Sequence, residues 1–248
     1  MLELKRLSIA LDGVGVVHDS SFKVEKEKIT ALIGESGSGK SLTVASILLL
    51  LPKNAQVEGE IMYKGTNLLA IADDDMVKLR RESIFTVLQD ASNSFNEHIK
   101  MGRQLFAFSA GRIGDDWQTF ERKMTRILEG LRLSSAILQH YPFELSGGML
   151  QRCMIACAMY VQPELLIADE PTSALDAIVQ KEFLGWLRTL NKNGTTVLLI
   201  THDLDSVANV ADALVVMQHG RVVEQGSVKS VFTNPVHAYT KRLIDSRF

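Results

Sequence analysis

The feature that most constrains this chain is the run Gly34-Glu35-Ser36-Gly37-Ser38-Gly39-Lys40-Ser41. An apolar stretch, Ile29–Ile33, leads into it, and a helical pattern starts near Lys40. The run fits G-x-x-x-x-G-K-[ST] at every defined position. Its glycines let backbone N–H groups turn inward around a phosphate with no Cβ in the way. The helix that follows adds its positive N-terminal end. Lys40 is expected to reach the β- and γ-phosphates, and Ser41 to offer its hydroxyl to Mg²⁺. Gly34 through Ser41, with Leu42 next in line, form the candidate nucleotide-binding set. Alone, this set points to a nucleoside triphosphate and leaves the reaction open.

A second apolar strand, Leu165 to Ala168, ends in the carboxylate pair Asp169-Glu170. Beside a phosphate loop, Asp169 is expected to hold Mg²⁺ and Glu170 to polarise an attacking water as general base. A third strand, Thr196–Ile200, ends at Thr201-His202-Asp203. A histidine there can hydrogen-bond both the γ-phosphate and the base, because its two ring nitrogens act independently. In an open α/β sheet ligands sit at the carboxyl ends of strands, and all three strands carry their polar residues there.

The wider pattern is α/β, with short apolar runs alternating with longer helical stretches. Met1 to Val24 reads as two strands around a turn at Asp12-Gly13, and Val57 to Tyr63 as another strand. From about Ala91 to Val161 the strand signal gives way to helical spacing, as in Arg122, Arg126, Ile127, Leu128 and Leu131. This stretch reads as a helical lobe inserted into the nucleotide-binding lobe. Ala213 to Met217, the turn His219-Gly220 and Arg221 to Glu224 read as a hairpin. Asp73-Asp74-Asp75, followed by Lys78, Arg80 and Arg81, read as a solvated helix start.

Composition narrows the function. The chain is 46% hydrophobic but only 6% aromatic, which suits buried parallel strands packed against helices. A formal net charge of -2 gives no basic field for nucleic acid or anionic lipid. Cys153 and Cys157, the only cysteines, read as a reduced, buried helix face in a cytosolic compartment. The most apolar stretch, Val44 to Leu51, stops at Pro52 and is too short to cross a bilayer. The N-terminus shows no export signal. Any membrane role is therefore expected to come through a partner.

Leu145-Ser146-Gly147-Gly148-Met149, with Gln151-Arg152 behind it, resembles the signature motif of ABC ATPases, which usually ends in Gln where Met149 stands. A second glycine-rich nest at a helix start makes sense if it caps the γ-phosphate bound to another subunit. The resemblance runs essentially end to end. It makes Gln89 the Q-loop glutamine, Ser173-Ala174-Leu175-Asp176 the D-loop and His202 the switch histidine. It implies catalytic roles for Glu170, His202 and Gln89, contact of Gln89, Ser146, Gly147, Gly148 and Asp169 with ATP, and a Mg²⁺ site from Ser41, Gln89 and Asp169. The implied fold is a P-loop NTPase with a RecA-like core, an N-terminal antiparallel β subdomain and an inserted helical subdomain at about 91–161. Residues 1–248 would form one nucleotide-binding domain.

Within that family the chain looks like the ATP-binding subunits of dipeptide, oligopeptide and nickel importers. Tyr141-Pro142-Phe143-Glu144, Met149-Leu150-Gln151-Arg152, Ser94-Phe95-Asn96 and Asn234-Pro235-Val236-His237-Ala238-Tyr239-Thr240 carry the likeness. A second proline is usual where Ala238 stands. Peptide-import members often have a cysteine-rich tail for an iron–sulfur cluster. The chain ends at Phe248 without those cysteines, which leans the reading towards the nickel or metal-chelate branch. The expected partners are a second homologous ATPase subunit in a heterodimer, two transmembrane permease subunits and an extracytoplasmic substrate-binding protein, with no nucleic acid. The expected location is the cytoplasmic face of the cell membrane.

One departure concerns the base. ABC ATPases stack adenine on an aromatic of the first hairpin, and Leu11 to Val17 holds none. Leu11, Val16 or His18, or another chain segment, is left to make a weaker contact. The competing readings are a non-transport ABC ATPase of DNA repair, chromosome structure or translation, and a P-loop kinase. The first usually brings a heptad insertion, zinc cysteines, a basic surface or tandem cassettes, none of which is in the sequence. The second leaves Leu145 to Met149 unexplained.

Overall fold

The structure, a computed structural model, describes residues 1–89, 91–172 and 177–245. The D-loop assignment at 173–176 lies outside the described residues.

The chain opens with a hairpin, β1 (Leu2–Leu11) and β2 (Val14–Val24), turning at Asp12-Gly13. β3 (Ile29–Ile33) leads through the glycine-rich loop into α1 (Lys40–Ile47). β4 (Ala55–Tyr63) and β5 (Thr66–Asn67) return beside β1, giving a four-stranded antiparallel sheet of order β2-β1-β4-β5. α2 (Asp73–Glu82) puts three aspartates in its first turn and Arg80 and Arg81 in its last. That arrangement complements the helix dipole at both ends. β6 (Ile84–Val87) follows.

Between Ala91 and Val161 every regular element is helical: α3 (Met101–Phe108), α4 (Ala110–Ile113), α5 (Trp117–Gly130) and α6 (Gly147–Val161). α5 begins where the Asp116 carboxylate accepts the Thr119 N–H at 2.8 Å, a side-chain cap on an otherwise orphan amide. It buries Phe120, Met124 and Leu128 on one stripe of spacing four. α6 carries Cys153 and Cys157, both buried and unpaired as thiols.

The chain then returns to the core with β7 (Leu165–Asp169), α7 (Ala177–Lys192), β8 (Thr196–Ile200), α8 (Leu204–Val210), β9 (Ala213–Gln218) and β10 (Arg221–Ser227). It closes with α9 (Val228–Thr233) and α10 (Ala238–Asp245). The six-stranded sheet has the order β10-β9-β3-β8-β7-β6, parallel except for the β9–β10 hairpin.

β3 and β8 are fully buried along their length and built of aliphatic residues and threonine, because helices or the second sheet cover both faces. Side chains alternate between those faces. Leu166, Ala168, Val197 and Leu199 join the core shared with the helical lobe. Leu165, Ile167, Leu198 and Ile200 join the core shared with α1 and the antiparallel sheet. Each fully buried aliphatic side chain contributes roughly 1.5–3 kcal/mol, so both lobes are welded to the strands that deliver the polar residues.

Arg112 of α4 fastens the helical lobe at a second point. Its guanidinium donates to the carbonyls of Arg81 and Arg80, each at 2.7 Å, and of Ile84 at 3.0 Å. It also lies 5.1 Å from the Phe85 ring centre. The arginine thereby takes up carbonyls left over at the end of α2.

Candidate active site

Three neighbouring strand ends meet at one cleft. β8 lies between β3 and β7 in the sheet, so the loop after Ile33, the Asp169-Glu170 pair and the Thr201-His202 step all emerge side by side. The cleft holds about 550 Å³. Its lining is Gly34 to Leu42 without Ser38, together with Val16, Gln89, Glu170 and His202.

The loop owes its shape to its glycines. Gly34 has φ +157°, and a Cβ added there would lie 2.2 Å from the Met217 carbonyl oxygen and 2.6 Å from Ser38 Oγ. Gly39 caps α1 in a left-handed conformation, φ +100°, with no side-chain cap. The first amides of α1 are therefore free for an anion. Ser38 turns inward and is buried, its carbonyl accepting the Gly220 N–H at 3.1 Å.

Lys40 is only 6% exposed. Its Nζ donates to the carbonyls of Gly34 at 2.8 Å and Glu35 at 2.9 Å. Burial pulls its pKa below the ordinary lysine value, while the Glu170 and Asp169 carboxylates oppose that shift. Asp169 is pushed upward, first by burial and then by Glu170, with Lys40 acting against both. The lysine and the acid pair thus form one electrostatic unit.

Glu170 stands at the centre. Gln89 Nε2 donates to its Oε2 at 3.3 Å, and His202 Nδ1 lies 3.4 Å from its Oε1. The backbone of Glu170 is left-handed, φ +43°, and its N–H donates to the Ile200 carbonyl at 2.9 Å. That conformation costs a non-glycine residue roughly 1–2 kcal/mol, and here it turns the carboxylate between Gln89 and His202.

The structure therefore brings together Gly34 to Leu42, Gln89, Asp169, Glu170 and His202. It does not bring Ser146, Gly147 and Gly148 to them. Those residues start α6 on the helical lobe, where Ser146 Oγ accepts the Met149 N–H at 3.3 Å, and they do not line the cleft. Of the three base-contact candidates, Val16 alone is part of the lining. The His18 ring lies instead against Gly15 and Gly220, and its backbone N–H donates to the Gly220 carbonyl at 2.8 Å.

One connection had no expected role in the sequence reading. Gln151 is buried, and its Nε2 donates to the Leu88 carbonyl at 3.1 Å and the Pro171 carbonyl at 3.0 Å. It ties the helix behind the second nest to the residues next to Gln89 and Glu170. The only signal for it was its place two residues after Met149.

The donor set suits a nucleoside triphosphate with a hard cation. Backbone amides and a buried ammonium face the loop cavity, while a hydroxyl (Ser41) and a carboxylate (Asp169) are the oxygen donors that Mg²⁺ prefers. Among the described residues no group of three or more His, Cys, Asp or Glu could hold a metal alone, so a cation here would draw on substrate phosphates and water for the rest of its shell.

A buried-lysine phosphate loop, a strand-end acid pair and a bracketed general-base candidate define a P-loop ATPase of the cassette type. The chain belongs to the ABC transporter family, whose profile matches residues 17–173. It is 39% identical over 235 residues to the metal-staphylopine import system ATP-binding protein CntD of Staphylococcus aureus, covering 94% of this chain and 87% of that one. It is 37% identical over 253 residues to the oligopeptide transport ATP-binding protein OppD of Haemophilus influenzae, covering 99% of this chain and 78% of that one. A solved ATP-binding subunit of an ABC transporter superposes with a TM-score of 0.82 at 28% identity, covering 99% of this chain and 98% of the other.

Proposed function

We propose that the chain binds and hydrolyses ATP and couples hydrolysis to import through membrane partners. The observation that carries this is Glu170, held between Gln89 and His202 at the mouth of the Lys40 cleft. Amides from Gly34 to Leu42 bind the phosphates, and Lys40 turns donors from its loop carbonyls to the β,γ-oxygens. Glu170 takes a proton as water attacks the γ-phosphorus. The bond to the β,γ-bridging oxygen breaks, giving ADP and inorganic phosphate. His202 orients Glu170 and meets the γ-phosphate. Ser41, Asp169 and Gln89 would hold the accompanying Mg²⁺, which neutralises charge on the phosphate oxygens. Val16 faces the base in place of an aromatic, which supports modest ATP affinity and weak base selectivity.

The second nest, at Ser146 to Gly148, is displaced from this chain's cleft and supports a shared-site dimer in which it covers the facing subunit's γ-phosphate. We take residues 1–248 as one nucleotide-binding unit with its helical lobe at about 91–161. A groove of about 740 Å³ between the lobes, lined by Leu50, Val77, Leu88, Phe106, Phe108 and Arg112, is the proposed seat of the permease subunits. Among the described residues no helix is long and apolar enough to cross a membrane, so membrane attachment is assigned to those partners. The named relatives are ATP-binding proteins of a metal-staphylopine import system and of oligopeptide transport, and a metal chelate or a peptide is accordingly the proposed cargo class. The partner set is completed by a homologous second ATPase subunit and an extracytoplasmic substrate-binding protein.

Vesicles carrying the assembled transporter test this. Uptake should require ATP on the side of this chain, and Gln89→Ala should spare ATP binding while loosening the link between turnover and uptake. ATP-independent uptake, or no association with multi-span membrane proteins, defeats the proposal. Loss of neither turnover nor uptake in Gln89→Ala removes the coupling role.

A further inference from the structure

We propose that Tyr239, on the last helix, is a positioning residue of the phosphate loop; this rests on the reading of Gly34 to Ser41 as the ATP site. The peptide group joining Gly34 to Glu35 is held from both ends. Its carbonyl accepts from Lys40 Nζ at 2.8 Å, and its N–H donates to Tyr239 Oη at 2.8 Å. The two holds differ in kind. The Lys40 ammonium has three donors, two of them on the Gly34 and Glu35 carbonyls. Engaging both the β- and γ-oxygens draws it off at least one carbonyl, so its hold on the loop is divided when nucleotide arrives. The tyrosine lies on the far side of the peptide and its hold persists. With the lysine shared between loop and phosphates, Tyr239 Oη is the hold on this peptide that nucleotide does not compete for, and it resists rotation of the loop entrance away from its phosphate-binding shape.

The tyrosine is seated firmly enough to do this. It is 2% exposed and belongs to the same core cluster as Ala31 and Ile33 of β3, the strand that leads into the loop. Its helix start is fixed in turn by Glu224 of β10. The two carboxylate oxygens of Glu224 accept the N–H groups of Val236 at 2.8 Å and His237 at 2.9 Å. His237 Nδ1 accepts the Tyr239 N–H at 3.2 Å. A line of hydrogen bonds therefore runs from an edge strand, through the start of the C-terminal helix, to the first peptide of the phosphate loop.

Tyr239→Phe in the full chain removes the acceptor and keeps the ring. A neutral hydrogen bond of this kind corresponds to about a three- to tenfold rise in the ATP Kd. The Glu35 amide should also exchange with deuterium faster, which loss of packing elsewhere would not single out. Glu224→Ala should shift the Kd in the same direction without touching loop or ring. An unchanged Kd in Tyr239→Phe, measured where the variant is folded, overturns the proposal even if the melting midpoint falls. Should Tyr239→Phe not fold, an unchanged Kd in Glu224→Ala overturns it. Lys40→Ala run in parallel separates the failures. Affinity lost there and kept in Tyr239→Phe sinks the tyrosine's role alone, whereas affinity kept in Lys40→Ala sinks the phosphate-loop reading itself.

Discussion

Two glycine-rich turns open helices in this chain, and they are finished to different degrees. The loop before α1 is packed from behind, gripped by Tyr239 and Gly220, and supplied with a buried lysine. The turn before α6 has a serine cap and the Arg152 guanidinium, whose Nε donates to the Gly148 carbonyl at 3.2 Å, but Ser146 and Gly147 are exposed, and nothing lies within 4 Å of a Cβ added at Gly147. The first, as the proposed phosphate site, carries its counter-charge with it. The second offers its helix-start amides to the outside, the arrangement on which the shared-site proposal rests. A surface turn whose amides face outward binds an anion poorly alone, and the proposed shared site is where such a turn would be used.

Five variants press on that contrast, beginning with the largest effect. Glu170→Gln should leave ATP binding intact and slow hydrolysis by about 10²–10⁴, with ATP-bound dimers accumulating. Turnover near the parental rate in the assembled transporter would remove Glu170 as the base. Gly148→Asp should leave this chain's own ATP binding untouched and block turnover of ATP held by the facing subunit. Like charges at ~4 Å repel by about 4 kcal/mol at an effective dielectric of 20, roughly 10³-fold. Photolabelling with an ATP analogue shows which chain binds. If the folded variant loses its own ATP, the contrast between the turns collapses.

Lys40→Ala should weaken ATP binding by about ten- to a hundredfold, since it removes charge-assisted bonds worth roughly 1.5–3 kcal/mol. Calorimetric titration decides this, and a Kd within twofold of parental, against the roughly 1.4 kcal/mol needed for a tenfold shift, would count against the first turn as a phosphate site. The smallest effect belongs to Gly147→Ala, expected to alter stability by no more than about 0.5 kcal/mol. Gly34→Ala, meeting the Met217 carbonyl, should cost several times that. Equal losses in denaturant titrations of the two would show that the turns are equally confined.

The finished turn was also the more legible one. Its glycines, lysine and preceding strand are contiguous, so the sequence alone placed β3, the loop and α1, and the strand-end rule placed Asp169, Glu170 and His202 beside them. The paired hairpin strands and the helical stretch up to Val161 were legible for the same reason, since periodicity is local. What escaped depends on distant partners. β6 is four residues with no glycine or proline to mark it, and only its pairing with β7 makes it a strand. Arg112 finds three carbonyls about thirty positions away, and Tyr239 finds an amide 204 positions away. Neither spacing leaves a trace in composition or period.

The single amide nitrogen of Gln151 has two hydrogens and spends each on a different loop. Both bonds hold only while the stretch after β6 and the stretch after β7 keep their spacing. A shift of either one strands a buried donor at a cost of roughly 1–3 kcal/mol. Gln151 therefore depends on both stretches at once. Through this one side chain the helix behind the second turn is held in register with both stretches, so the far lobe is tied to the two loops beside Glu170 at a single point.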